Sequence, residues 1–152
     1  MTGERISTTN PGSMLPEGCI FVDKANLEPS EIAELRQSVG WDPDTAHIWR
    51  QCIDQPLGVI VGVRDQEQDD LLVGMGRLTA DLRHAVLCDL AVKPSHQNLG
   101  VGKAIIAARM RITHERMIPY LYTELAPESP LRSVYEALGF VSTGNGLFRH
   151  SR

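Results

Sequence analysis

Hydrophobic residues recur along this chain with two different periods, and the change of period divides it. Between residues 57 and 92, apolar runs of strand length alternate with short polar turns. Residues 57–63 (LGVIVGV) read as one strand, the polar run DQEQDD at 65–70 turns the chain, and 71–79 returns it. Asp81, Leu82 and Arg83 turn it again into a strand over 84–92. These three strands predict an antiparallel meander. Beyond Gly100 the period becomes helical, with apolar residues at Val101, Ala104, Ile105, Ala108 and Ile112. A strand over 120–125 follows Pro119. Pro130 opens a helix that runs to Leu138 and stops at Gly139. The last strand candidates, 140–141 and 147–148, flank a turn at Gly144, Asn145 and Gly146.

The first part of the chain is less periodic. Residues 1–17 have no apolar rhythm and are expected to be a flexible tail before a single domain over 18–152. A short strand is expected at 19–22. A helix follows from Ser30, the expected N-cap, with Ile32 and Leu35 on one face and Gly40 at its end. A second short helix covers 44–51. A helical start, a meander and a strand–helix–strand–helix–strand tail define a mixed α/β sheet with helices packed on it.

Composition narrows the function classes. A chain of 152 residues buries about 70% of its unfolded surface, enough for a core without disulfides. With 42% hydrophobic and 22% charged residues, it is globular rather than disordered or collagen-like. No apolar run approaches the ~18 residues that span a bilayer, so no membrane partner is expected. The polar start containing Glu4 resembles neither a secretory signal nor a transit peptide. Nineteen acidic against 15 basic residues give a net charge of -4. That balance argues against nucleic acid as the main ligand but leaves room for an anionic cofactor in a local positive field. Cys19, Cys52 and Cys88 form no C-x-x-C pair, so no metal is expected, and a reducing cytoplasm is the simplest compartment. The acidic run at 65–70 lacks EF-hand spacing and reads as a solvated turn.

The chemistry concentrates in residues 89–103, DLAVKPSHQNLGVGK. An apolar strand enters a polar loop, two glycines follow, and a helix begins. The unpaired N–H groups of a helix start attract anions, and glycines let a ligand approach that backbone. A dinucleotide fingerprint fails because its third glycine falls on Ile105. A P-loop fails because its first glycine falls on Gln97 and its Ser/Thr on Ala104. The pattern that fits is Gln97-x-x-Gly100-x-Gly102.

That pattern, within DLAVKPSHQNLGVGKAII and with SVYEALGF downstream, resembles the GNAT superfamily of N-acetyltransferases. The superfamily writes Q/R-x-x-G-x-G/A at its phosphate loop and ends in a helix of the F-Y-E-x-L-G-F type. The similarity spans residues 57–148. SVGW at 38–41 adds a narrower similarity to bacterial members and plant plastid arylalkylamine-type members. The resemblance implies a mostly antiparallel sheet splayed between its fourth and fifth strands and flanked by about four helices. It implies acetyl-CoA as cosubstrate, with Gln97, Asn98, Leu99, Gly100, Val101, Gly102 and Lys103 around its pyrophosphate. Leu90, Ala91 and Val92 would offer free backbone groups to its pantetheine arm. Tyr135 would be the acid that protonates the leaving thiolate. Val134 stands where the superfamily has Phe.

The general base is less defined. Strand alternation puts Cys88, Leu90 and Val92 on one face and Leu87, Asp89 and Ala91 on the other. Some members carry a Glu base at the position of Cys88. Asp89 could serve only if a bulge re-aims it. Glu124, Glu128 and a water chain are alternatives, and Cys88 as a nucleophile would need a partner base. Trp41, His47 and Trp49 are candidate acceptor-pocket residues, while Lys93 and His96 are expected to be solvated. The implied reaction moves an acetyl group to a primary amine of a small molecule or peptide by direct attack in a ternary complex. By analogy the chain would be a homodimer. The rival readings are the same fold with another acyl-CoA donor, and a non-catalytic acyl-CoA-binding module.

Overall fold

The computed structural model describes residues 15–125, 128–143 and 147–151. The period-2 runs do become strands: β1 (Cys19–Asp23), β2 (Val59–Asp65), β3 (Leu71–Ala80) and β4 (His84–Val92). Each pairs with the next in antiparallel register. After α3 (Val101–Glu115) the chain returns as β5 (Tyr120–Glu124), parallel to β4. Then come α4 (Arg132–Ala137), β6 (Val141–Ser142) and β7 (Leu147–Ser151). The sheet order is β1-β2-β3-β4-β5-β7-β6. The expected turn at Gly144, Asn145 and Gly146, and residues 1–14 of the expected tail, lie outside the described residues.

Two apolar clusters sandwich the sheet. Val59, Val61, Val63, Leu78 and Leu87 meet Val101, Ile105 and Ile112 of α3 on one face. Ile60, Leu72 and Met75 meet Ile32 and Leu35 of α1 (Pro29–Ser38) and Trp49 and Ile53 of α2 (Ala46–Asp54) on the other. Each such aliphatic side chain, fully buried, contributes about 1.5–3 kcal/mol. Gly76 has a packing reason: a Cβ there would lie 2.5 Å from Ile105 Cγ2 and 2.7 Å from Arg109 Cζ. Among the described residues, no helix is long and apolar enough to cross a membrane.

Several local expectations shift. The N-cap of α1 is Glu28, not Ser30. Glu28 and Glu31 form a reciprocal capping box, and Pro29 takes the first helical position that its fixed φ suits. Thr45 caps α2, accepting from Ile48 N–H at 3.3 Å. Pro130 precedes α4 rather than lying inside it. Asp65 belongs to β2 and is buried, so the polar turn begins only after it.

Candidate active site

The geometry at the centre of the sheet follows from where β4 and β5 stop pairing. Their parallel register runs from His84↔Tyr120 to Leu87↔Thr123 and ends there. Thr123 Oγ1 donates to Leu87 O at 3.3 Å and closes the paired part. Beyond it, the edge of β4 from Cys88 to Val92 faces no strand among the described residues. Leu90, Ala91 and Val92 therefore line an opening in the sheet.

Inside that edge lies a β-bulge. Met75 pairs with Ala91 and Arg77 with Cys88, so Gly76 opposes both Asp89 and Leu90. Asp89 adopts φ +54°, which Asp tolerates better than most residues. The extra residue reverses the alternation expected from sequence. Ala85 and Leu87 lie in the α3 cluster, yet Leu90 and Val92 also pack on it, and Ala91 turns to the α1/α2 cluster. Leu87 and Leu90 thus share a face that strict alternation would not give them.

The bulge does re-aim Asp89, and the carboxylate meets two guanidinium groups. Its Oδ2 accepts from Arg77 Nε at 2.7 Å and its Oδ1 from Arg36 Nη1 at 3.1 Å. Arg36 also donates to Asp42 O at 2.7 Å and lies over the rings of Trp41 and Trp49, 5.2 and 5.3 Å from their centroids. Trp49 is a core residue whose Nε1 donates to Pro43 O, Trp41 is partly exposed, and His47 is exposed. The two tryptophans hold Arg36 in place. Glu124 and Glu128 are exposed. Cys88 is half-buried; burial, opposed mainly by Arg77, pushes its thiol above the ordinary range. A neutral thiol is a poor nucleophile.

On the other face, Arg109 closes the bulge from beneath. It is fully buried on α3, and its Nη1 donates to Arg77 O at 2.8 Å and Cys88 O at 3.1 Å. Nη2 makes no hydrogen bond among the described residues. Burial pulls the Arg109 guanidinium below its ordinary range, and the Tyr135 phenol is the largest influence opposing that shift. Tyr135 is buried on α4 and packs edge-on against Phe140, 5.3 Å between centroids. Arg109 therefore ties the β4 bulge to α3. Sequence reading missed it, although Arg109 stands four residues after Ile105 and three before Ile112, in phase with the buried stripe.

The glycine loop completes the site. A short 3-10 turn, Pro94–His96, leads from β4 toward α3. Lys93 N–H donates to Val73 O at 2.8 Å, and Gln97 Nε2 donates to Val92 O at 3.0 Å. Asn98 and Gly100 take φ +63° and +87°, and Gly100 is the N-cap of α3. The first intrahelical bond comes from Ala104 N–H to Gly100 O, leaving the amides of Val101, Gly102 and Lys103 ahead of it. Gly102 has neither a positive φ nor a crowded neighbour: a Cβ there would meet only Val92 Cγ2, at 3.7 Å. Nothing among the described residues requires this glycine, which costs a helix about 1 kcal/mol relative to Ala. An open backbone at a helix start fits an approaching phosphate group. Lys103 is exposed; His96, expected in solvent, is buried.

A cleft of about 450 Å³ lies on the α2 side of the sheet, beside Cys52, Gln55, Arg77 and Thr79. A larger hollow of about 600 Å³, near Lys24, Ile112 and Arg116, lies at the C-terminal end of α3, away from the glycine loop.

A model of the acetyltransferase (GNAT) family matches residues 26–140. The chain belongs to that family and is an N-acetyltransferase of the acyl-CoA-dependent kind. Among its relatives is the "Uncharacterized N-acetyltransferase ycf52" of Pyropia yezoensis, 26% identical over 123 residues, 80% of this chain and 70% of that protein. The fold is similar to that of the Escherichia coli ribosomal-protein-S18-alanine N-acetyltransferase, with TM-score 0.71, 17% identity, and 88% and 93% of the two chains covered. It is also similar to an aminoglycoside 6'-N-acetyltransferase in complex with coenzyme A, with TM-score 0.61, 15% identity, and 81% and 89% covered.

Proposed function

We propose that the chain binds acetyl-CoA and moves its acetyl group to a primary amine of a small molecule or peptide, by direct attack in a ternary complex. The observation that carries this reading is Gly102, a helix-start glycine that nothing among the described residues obliges to lack a side chain. Its amide, with those of Val101 and Lys103, receives the pyrophosphate, while Gln97, Asn98, Leu99 and Gly100 shape the approach. The free edge of Leu90, Ala91 and Val92 pairs with the pantetheine arm. An N–H of that edge holds the acetyl carbonyl oxygen, a contact worth about 3–4 kcal/mol in acyl transfer. The coenzyme A bound to the aminoglycoside acetyltransferase neighbour supports this cosubstrate.

A neutral amine attacks the thioester carbonyl carbon, the C–S bond breaks, and Tyr135 donates its proton to the departing sulfur. The proton lost by the amine passes through water and restores the phenol. Both oxygens of Asp89 are held by Arg36 and Arg77, so Asp89 fixes the bulge and water accepts the amine proton. The cleft beside Arg77 and Thr79 receives the acceptor. The net charge of -4 favours a cationic amine. The three free thiols suit a reducing compartment such as the cytoplasm. The test is release of free CoA from acetyl-CoA over a panel of primary amines. Amine-dependent release is expected. Saturable acetyl-CoA binding without release would make the chain a binding module, and faster release from succinyl-CoA would change the donor.

A further inference from the structure

Outside the opening, three metal-ligating side chains from three segments converge at the foot of the glycine loop. Cys19 begins β1, Asp65 ends β2, and His96 ends the 3-10 turn before Gln97. Their ligand atoms lie within 4.8 Å of one another. Asp65 and His96 are only 6% and 5% exposed, whereas Cys19 is half-buried and leaves a solvent path. His96 Nε2 stands 2.8 Å from Asp65 Oδ2, and its Nδ1 stands 2.7 Å from Ser95 Oγ. The other Asp65 oxygen accepts from Glu67 N–H at 3.0 Å.

We propose that Cys19, Asp65 and His96 bind one thiophilic divalent cation of the zinc class, separate from the reacting centre. Thiolate sulfur, imidazole nitrogen and carboxylate oxygen are all zinc donors, and solvent at Cys19 supplies a fourth ligand. Magnesium and calcium prefer all-oxygen shells and do not suit this set. One thiolate and one carboxylate neutralise the ion. Ser95 supplies the outer contact such sites use, accepting Nδ1–H so that the Nε2 lone pair faces the metal. The protons balance. The thiol loses one to solvent, and the imidazole proton moves from Nε2 to Nδ1, so one proton leaves per ion bound. The ion links the starts of β1 and the glycine loop to the end of β2. None of this depends on the acetyl-transfer reading.

The test titrates the full-length, chelator-treated protein with zinc and with cobalt(II). One equivalent should bind, cobalt should give a thiolate-to-metal charge-transfer band with tetrahedral visible bands, and zinc should raise the Tm. Cys19→Ser and His96→Gln should each weaken binding more than about 100-fold and Ser95→Ala about 10-fold, while Cys52→Ser should change nothing. A cobalt spectrum without the thiolate band in the unmutated protein would overturn the proposal, whatever the variants do. So would unchanged zinc affinity in a folded Cys19→Ser variant.

Discussion

Gly100 and Gly102 shape the loop that follows β4, whereas Arg36, Arg77, Asp89 and Arg109 shape the bulge within it. The loop is made of neighbours: Gly100 caps the helix it precedes, and Gln97 bonds back to Val92, five residues away. The bulge is made of distant parts. Asp89 reaches 53 residues back to Arg36, and Arg109 reaches 21 residues back to the Cys88 carbonyl. One strand thus carries a backbone site at its end and a charge-stapled kink in its middle. In the proposed reading the loop offers an anion its backbone amides, whereas the bulge is held by side-chain bonds from three other elements.

Loss of the Tyr135 phenol should have the largest effect on turnover. Tyr135→Phe should lower kcat by about 10²–10³-fold and leave the KM for acetyl-CoA nearly unchanged. Full kcat in the variant would remove Tyr135 from the proton path.

Arg109→Met asks whether the bulge depends on its buried cation. It leaves the Arg77 and Cys88 carbonyls without their donor, and should cost about 2–4 kcal/mol in urea unfolding. A loss below about 1 kcal/mol would mean the kink holds without it.

Gly76→Ala presses the same point from the other side. Its Cβ would strike Ile105 and Arg109, so a cost of about 1–3 kcal/mol is expected from the same unfolding experiment.

The smallest effect lies at a charge pair that belongs to neither region. Arg64 grips both oxygens of Glu31, at 2.6 and 2.8 Å, and holds its carboxyl below the ordinary value of 4.5. A depressed folded pKa gives stability that is present above the unfolded pKa and lost as pH falls through the folded one. Glu31→Gln should therefore cost less than about 1 kcal/mol near neutrality. That difference should vanish in acid, as read by denaturation at a series of pH values.

The same contrast explains what was legible beforehand. The meander, the α3 stripe and the Gln97-x-x-Gly100-x-Gly102 loop depend on residues close in sequence, so period and spacing revealed them. The bulge could be named only as a condition on Asp89, because its extra residue is set by pairing with β3. Arg109 was overlooked because a charged residue on an apolar stripe reads as an interruption until its carbonyl partners are known. His96 looked solvated beside Pro94 because its partner, Asp65, lies 31 residues away. Glu28 displaced Ser30 as the α1 cap because Pro29 fixes where the helix begins.

The central claim is that an open backbone at the start of α3 binds the acetyl-CoA pyrophosphate. Calorimetric titration of acetyl-CoA into the unmutated protein and into Gly102→Glu tests it most directly. A Cβ at Gly102 would meet only Val92 Cγ2, at ordinary contact distance, and glutamate favours a helix over glycine, so the variant should fold with equal or higher Tm. Saturable binding by the unmutated protein, abolished in the folded variant, is the predicted result. Equal binding by both proteins, or none by either, would contradict the assignment.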